Sequence, residues 1–374
     1  MKAMAPMPER QEEPPGPQVR PPLRTARMSL YPRAGETTRQ KLDRLVQYAR
    51  GHERALILTH DNPDPDSLAA GVALAYLLEK LAGLRAEVAY GGIVGRSENR
   101  ALIKELKLPV VPIARVDFDD YDLICMVDTQ PEQGNHSLPA RHFPDVVIDH
   151  HPERPDSHLV PVADVGGPIG ATSTLLASYF RASGLEIPPA VATALFYGIK
   201  ADTRDLGRQT TAQDVDAYLW LFPMADKDAL GSIEHPKLPA AYFRLHHTAI
   251  ERALVYDDAV VCDLAKIYAP DMVAEVAERF MSLGEMRWSL AFGEYEEALY
   301  YSIRTSDRRV NVGRIIREVI ESRGGTAGGH GTMAGARLPL KGLGPAARKR
   351  LKDEVVRAFL DALGVRARKG KKLV

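Results

Sequence analysis

The chain has 374 residues, 45% hydrophobic and 26% charged, the balance of a soluble globular protein with room for two domains. Its 49 basic and 49 acidic residues cancel, which removes any bulk field toward nucleic acid or an anionic membrane; an anionic substrate has to be held by a local patch. Cys125 and Cys262 lie in apolar strand-like runs and read as buried thiols in a reducing compartment. No apolar run approaches the ~20 residues of a membrane helix, and no h-region of a secretory signal opens the chain, so cytoplasm is the default expectation.

Residues 1–36 hold eight of the 27 prolines and little apolar periodicity, and are expected to be a disordered tail. A first domain is expected over 37–223. Thr37 or Thr38 caps a helix to about residue 50, with Leu42, Leu45, Val46 and Ala49 on one face. Strands are expected over 54–59, 86–90, 122–127 and 145–148, alternating with helices over 68–81, 98–106, 171–182, 190–198 and 211–222. This alternation predicts an α/β fold with a parallel sheet covered on both faces. Pro63 and Pro65 are read as keeping His60–Ser67 out of regular structure. The polar stretch 224–245 is expected to be a linker. A smaller α/β domain is expected over 246–365, with a glycine-rich loop at 324–331 and a last amphipathic helix stopped by Gly364. Residues 366–374 carry five Lys/Arg and no acid, and read as a solvated basic tail.

Four segment ends are rich in hard ligands: His60, Asp64 and Asp66; Asp128; Asp149, His150 and His151; and Asp202. In an open parallel sheet, ligands collect at the carboxyl ends of the strands, and three of these clusters directly follow strand-like runs. Clustered carboxylates repel unless a cation neutralises them. Imidazole and carboxylate without thiolate suit Mn²⁺, Mg²⁺, Co²⁺ or Fe²⁺ better than structural zinc. Six candidate ligands are too many for one ion with open positions and fit two. Taken singly, Asp64 and Asp66 read equally as turn or N-cap residues, and His150 and His151 as surface histidines; the combination carries the signal.

The runs Thr59-His60-Asp61-Asn62-Pro63-Asp64-Pro65-Asp66-Ser67, Val127-Asp128-Thr129, Ile148-Asp149-His150-His151 and Ala201-Asp202-Thr203 resemble, in order, the four motifs of the DHH phosphoesterases. The resemblance spans about residues 37–345 and implies a two-metal phosphoesterase, usually Mn²⁺-dependent, with the active site in the cleft between its lobes. It implies that His60 and Asp64 hold one ion, Asp66, His150 and Asp202 the other, and that Asp128 bridges. Asp149 would orient His150, and His151 would sit by the scissile phosphate. Pro65 departs from the family's usual Gly between the first two aspartates.

The run Gly328-Gly329-His330-Gly331 resembles the Gly-Gly-Gly-His motif of the DHH-associated C-terminal domain, with Ala327 in place of the first glycine. Glycines open the backbone to an anion, and Arg304 at a strand end adds a fork for phosphate. Arg204 and Arg208 beside the fourth motif read as phosphate contacts or as solvated loop residues. The Thr172-Ser173-Thr174 helix start reads first as simple capping and second as an anion site. The resemblance points to hydrolysis of short oligoribonucleotides, two to five nucleotides long, and of 3′-phosphoadenosine 5′-phosphate. A cyclic or linear dinucleotide phosphodiesterase and a non-catalytic nucleotide-binding regulator are the alternatives. No membrane or obligate protein partner is expected; monomer and homodimer both stay open.

Overall fold

The computed structural model describes residues 35–374; the Pro-rich segment, apart from its last two residues, lies outside them. Helix α1 (Thr38–Ala49) opens on the expected capping box, with Thr37 Oγ1 accepting from Gln40 N and Gln40 Oε1 accepting from Thr37 N. The first lobe is built from β1 (Arg54–Leu58), α2 (Pro65–Ala82), β2 (Arg85–Tyr90), α3 (Ser97–Leu106), β3 (Val110–Pro112), β4 (Leu123–Val127), β5 (Val146–Asp149) and β6 (Val162–Val165). It continues through α4 (Thr172–Ser183), α5 (Pro189–Asp202), α6 (Ala212–Leu221) and α7 (Lys227–Glu234).

The six strands form one parallel sheet in the order β3-β2-β1-β4-β5-β6. The chain reverses its direction of travel across the sheet at β1, so the β1–β4 junction is the switch point where a crevice opens at the strand ends. The four expected strands are present; β3 and β6 are additional edge strands, and β3 is too short to show a period in the sequence. Alternate side chains divide the sheet faces. Ala55 and Ile57 join the core under α1, α2, α4 and α5, whereas Leu56 and Leu58 face Phe118, Val147 and Val160. Helices thus cover one face. Over the other lie short 3₁₀ turns at Ile113–Arg115 and Phe118–Asp120, with Leu138 and Phe143 packed against the same core.

Three local expectations change. Pro65 does not exclude a helix: it is the first residue of α2, where its fixed φ fits and its missing N–H costs nothing. Asp66 and Ser67 therefore lie in the helix's first turn. Asp202 ends α5 instead of following it in a turn. The stretch expected as a linker contains α7, whose Leu230 and Ile233 are buried in the first core, and the start of α8 (Ala240–Arg252). The polar residues outside those two positions face solvent, which is why the segment reads as unstructured.

The second lobe comprises α8, β7 (Leu254–Tyr256), β8 (Ala259–Lys266), α9 (Met272–Phe280), β9 (Trp288–Tyr295), β10 (Ala298–Thr305), α10 (Val312–Glu321), β11 (Thr326–His330), β12 (Met333–Pro339), α11 (Pro345–Ala362) and β13 (Lys371–Lys372). Its seven strands run β11-β12-β10-β9-β8-β7-β13, antiparallel except for the β8–β9 pair. Helices α8 and α9 pack on one face, α10 and α11 on the other. Gly364, at φ +71°, follows α11 as expected. The basic tail is not wholly solvated: Lys371 and Lys372 pair with Val255 and Leu254 as an edge strand. Cys125 and Cys262 are both free and buried.

Candidate metal centre

The four ligand-rich segments converge. β1 delivers His60, the first turn of α2 delivers Asp64 and Asp66, β4 delivers Asp128, β5 delivers Asp149, His150 and His151, and the end of α5 delivers Asp202. Three donor groups lie close enough to share an ion: His60, Asp64 and Asp128; Asp66, His150 and Asp202; and Asp128, Asp149, His150 and His151. His60 Nε2 is 3.5 Å from both Asp64 Oδ1 and Asp128 Oδ2. His150 Nε2 is 3.6 Å from Asp128 Oδ1 and 3.3 Å from Asp202 Oδ2. Asp128 thus turns one oxygen to each imidazole and stands between the first two groups.

The local backbone explains these directions. Asp128 has φ +58°, in the left-handed region that Asp tolerates better than most side chains, and this turns the chain sharply off the end of β4. Asp64 is the N-cap of α2, with Oδ1 accepting from Ser67 N at 2.9 Å. The capping reading and the ligand reading of Asp64 are therefore compatible. Asp66 is buried and accepts from Thr172 N at 2.7 Å and Ser173 N at 2.8 Å. The start of α4 does bind an anion, and that anion is the Asp66 carboxylate. Gly198 on α5 makes this approach possible: a Cβ there would lie 2.3 Å from Ser173 Oγ and 3.2 Å from Asp66 Oδ1.

The two imidazoles are aimed by backbone carbonyls. His60 Nδ1 lies 3.0 Å from Asp61 O, and His150 Nδ1 lies 3.0 Å from Ile169 O. A carbonyl can only accept, so each Nδ1 carries the proton and a neutral ring points its Nε2 lone pair into the carboxylates. A lone pair facing a carboxylate is repulsive unless a proton or a metal cation lies between them. Asp149 is fully buried and divided: Oδ2 accepts from Gln130 Nε2 at 2.8 Å, while Oδ1 meets His151 Nδ1 at 2.8 Å and accepts from His151 N at 3.0 Å. It therefore orients His151, where the sequence reading had it orient His150, whose Nδ1 is taken by Ile169.

The proton affinities report the same charge crowding. Burial, then the carboxylates of Asp66 and Asp64, raise Asp128 well above the usual range. Burial followed by Asp66 and Asp64 pushes Asp202 up to about 7. Burial disfavours a His60 cation, yet Asp64 outweighs it and lifts the imidazole to about 9. Without a metal, protons have to offset the carboxylate charge; a divalent cation does so without them. The all-oxygen-and-imidazole donor set, the aimed Nε2 atoms and this crowding fit a pair of divalent ions.

Arg304 lies near the end of β10, half-buried, with Nη1 donating to Ser302 Oγ at 2.9 Å and Ile303 O at 3.0 Å. Burial lowers its pKa to about 10; Glu278 opposes that shift, and Arg96 and Arg204 add to it. These neighbours join the lobes: Glu278 on α9 pairs with Arg96 Nη2 at 3.0 Å and lies 3.8 Å from Arg204 Nη2. Arg96 and Glu278 escaped the sequence reading, because neither carries a motif. The glycine-rich run forms no free loop. Gly328, Gly329 and His330 belong to β11, paired with Gly335, Ala334 and Met333. Gly329 is required by close packing, since its φ is +149° and a Cβ would meet Ala334 at 2.4 Å. The His330 side chain lies outside the described residues. The described hydrogen bonds of Arg208 lie within its own loop, its N–H donating to Thr203 O at 2.7 Å and its carbonyl accepting from Thr210 Oγ1 at 3.1 Å.

Known proteins supply the comparison. Residues 54–199 match the DHH family, N-terminal domain, and residues 257–357 match the DHHA1 domain. An uncharacterized protein of Methanocaldococcus jannaschii is 32% identical over 320 residues, covering 83% of this chain and 64% of that protein. A probable manganese-dependent inorganic pyrophosphatase of Lactobacillus johnsonii is 26% identical over 183 residues, 47% of this chain and 56% of that enzyme. This chain therefore spans less than two thirds of either relative. A crystal structure of an exopolyphosphatase-related protein from Bacteroides fragilis shares the fold, with TM-score 0.66 at 16% identity over 86% of this chain and 97% of that one. The match to the DHH family, N-terminal domain, covers every residue of the acidic and imidazole cluster except Asp202, which lies just beyond it, and the match to the DHHA1 domain covers Arg304 and the glycine-rich strand.

Proposed function

We propose that the chain is a two-metal phosphoesterase that hydrolyses short oligoribonucleotides and 3′-phosphoadenosine 5′-phosphate, with Mn²⁺ as its preferred ion. The observation that carries this reading is the placement of Asp128, one oxygen toward His60 and Asp64 and the other toward His150. In this reading His60 and Asp64 hold one ion, Asp66, His150 and Asp202 the second, and Asp128 serves both. The donor set suits Mn²⁺, and the pyrophosphatase relative is named as manganese-dependent. When bound, two such ions supply Lewis acidity toward a phosphoryl oxygen and the attacking water.

The chain's own groups do the rest. His151 is tied to Asp149 through Nδ1, which leaves Nε2 free to face a phosphate. Burial works against its cation and Asp149 favours it, with the net shift upward; in the protonated ring Nε2–H is the group that can donate to a phosphoryl or leaving oxygen. Arg304, with Arg96 and Arg204 across the cleft, offers guanidinium groups to the remaining phosphate. His330 and the β11 backbone are assigned to substrate positioning. An active site between two lobes favours substrates short enough to enter the cleft.

A substrate panel tests the reading. Purified protein with Mn²⁺ is given a dinucleotide, a pentamer, a longer single strand, 3′-phosphoadenosine 5′-phosphate, a cyclic dinucleotide and pyrophosphate. The dinucleotide and pentamer are expected to turn over fastest. Faster turnover of the cyclic dinucleotide replaces the substrate; no Mn²⁺-dependent turnover of any compound removes the enzyme reading.

A further inference from the structure

The second lobe leaves part of one sheet face uncovered. Seven strands at ~4.8 Å spacing make a sheet about 29 Å wide, and two helices packed ~10 Å apart cover about 20 Å of it. On the face of α10 and α11, Ala259 and Val261 of β8 are buried in the same core as α11, so the remaining width falls over β7 and β13. There the structure has a groove of about 1020 Å³, lined by half-buried Tyr256, by one side of α11 and by the C-terminal strand. It shares no lining residue with the metal centre or with the Arg304 cluster. Ser289 pairs with Arg304 at the cleft end of β9, and Glu294 on the groove lies five residues further along that strand, about 17 Å at ~3.4 Å per residue.

The neutral chain concentrates positive charge around this groove. Residues 341–374 hold eleven Lys/Arg against three Asp/Glu. Some of the lining cations are neutralised: Arg348 pairs with Glu294, and Lys352 and Arg252 share Asp263 at 3.5 and 3.1 Å. Four others, Lys349 and Arg357 on α11, Lys266 on β8 and Lys372 on β13, are exposed and have no ion pair among the described residues. Lys349 and Arg357 stand about 12 Å apart along the helix at ~1.5 Å per residue, far enough to meet different phosphates of one strand.

We propose that this groove binds the phosphodiester backbone of a single-stranded nucleic acid, so that strands longer than the cleft can hold are tethered on the second lobe, outside the cleft. The inference rests on the phosphoesterase reading for its choice of polyanion. Free cations on both walls track a backbone, and the Tyr256 ring offers a base a stacking surface. A bilayer fits poorly: the surface is concave, and none of the large exposed apolar side chains lines it. An acidic protein segment would satisfy the charges without using the ring.

Binding of a fluorescent single-stranded RNA dodecamer is measured by anisotropy in chelator, where no metal-dependent cleavage occurs. Lys349→Glu/Arg357→Glu changes one wall, and Lys266→Glu/Lys372→Glu changes the other. Each is expected to weaken dodecamer binding at least about tenfold at low salt. The log–log salt slope should fall by about 1.4, from two contacts at ~0.7 each. Dinucleotide turnover with Mn²⁺ should be unchanged. Dodecamer affinity equal to the parent's in both variants overturns the proposal. So does a parent that binds poly-glutamate or phosphatidylserine vesicles more tightly than the dodecamer. A chain that binds the dodecamer through the groove but never cleaves a dinucleotide refutes the enzyme reading alone.

Discussion

The Thr172 hydroxyl donates to Asp128 Oδ1 at 2.9 Å, inside a fully packed region at the start of α4. The same residue's N–H holds Asp66 at 2.7 Å. One residue therefore orients a carboxylate from each proposed ion site. Thr172→Val keeps the shape and the N–H but removes the hydroxyl. Mn²⁺ affinity, read by titration calorimetry, is expected to fall about 10- to 100-fold, the usual effect of losing a partner behind a metal ligand. Thr172→Ser should restore most of it. Parent-like affinity in the valine variant would show that Asp128 is held by its backbone alone.

Asp128 sits at φ +58°, which separates its chemical from its conformational role. Asn accepts this backbone about as well as Asp, whereas Ala in the left-handed region costs ~1 kcal/mol or more. Asp128→Asn is expected to bind less Mn²⁺ and lose nearly all turnover, with a metal-free Tm at or above the parent's because it removes a crowded buried charge. Asp128→Ala should lose turnover and also melt earlier than the Asn variant, since both lack the charge and only Ala strains the backbone. Measurable turnover in the Asn variant at saturating Mn²⁺ would contradict a shared ligand.

Metal removal should change stability as well as activity. Without a cation, burial and the neighbouring carboxylates raise Asp128 and Asp202, a sign that their charges oppose folding. Adding Mn²⁺ at about 100 times its dissociation constant is expected to stabilise the native state by ~2.7 kcal/mol. A thermal-shift titration reads this directly. No Mn²⁺-dependent shift in Tm would mean the cluster holds no such ion.

The convergence of the donor residues is legible because each cluster ends a strand or lies at a helix end, and a parallel sheet gathers its strand ends in one crevice. The error over Pro65 came from reading proline as a breaker where it was an N1 residue. What holds the donors was not legible. Asp66 is fixed by Thr172 and Ser173, more than 100 residues away, and Gln130 by its contact with Asp149; neither pairing has a periodic signature. The edge strands β3 and β13 are three and two residues long, below the length at which alternation shows. The basic residues of α11 read as an ordinary solvated face because the uncovered sheet beside them is a property of helix count and sheet width.

The lobe interface carries its own titration. Glu275 on α9 has Glu98 of the first lobe and Asp271, the N-cap of its own helix, as acidic neighbours, and its Oε2 and both Asp271 carboxylate oxygens are buried without a hydrogen-bond partner among the described residues. Burial first, then Glu98 and Asp271, pushes Glu275 up to about 7, with Arg96 and Arg100 opposing. The native state therefore holds a proton that the unfolded chain, with Glu near 4.5, has released. By linkage, the stability this group contributes is full below 4.5 and is lost as pH rises through about 7. Glu275→Gln mimics the protonated form at every pH. Its Tm is expected to match the parent's at low pH and to exceed it progressively from about pH 5 to 8. A parallel pH dependence in the two proteins would mean that Glu275 stays ionised at the interface, paired with Arg96 or Arg100.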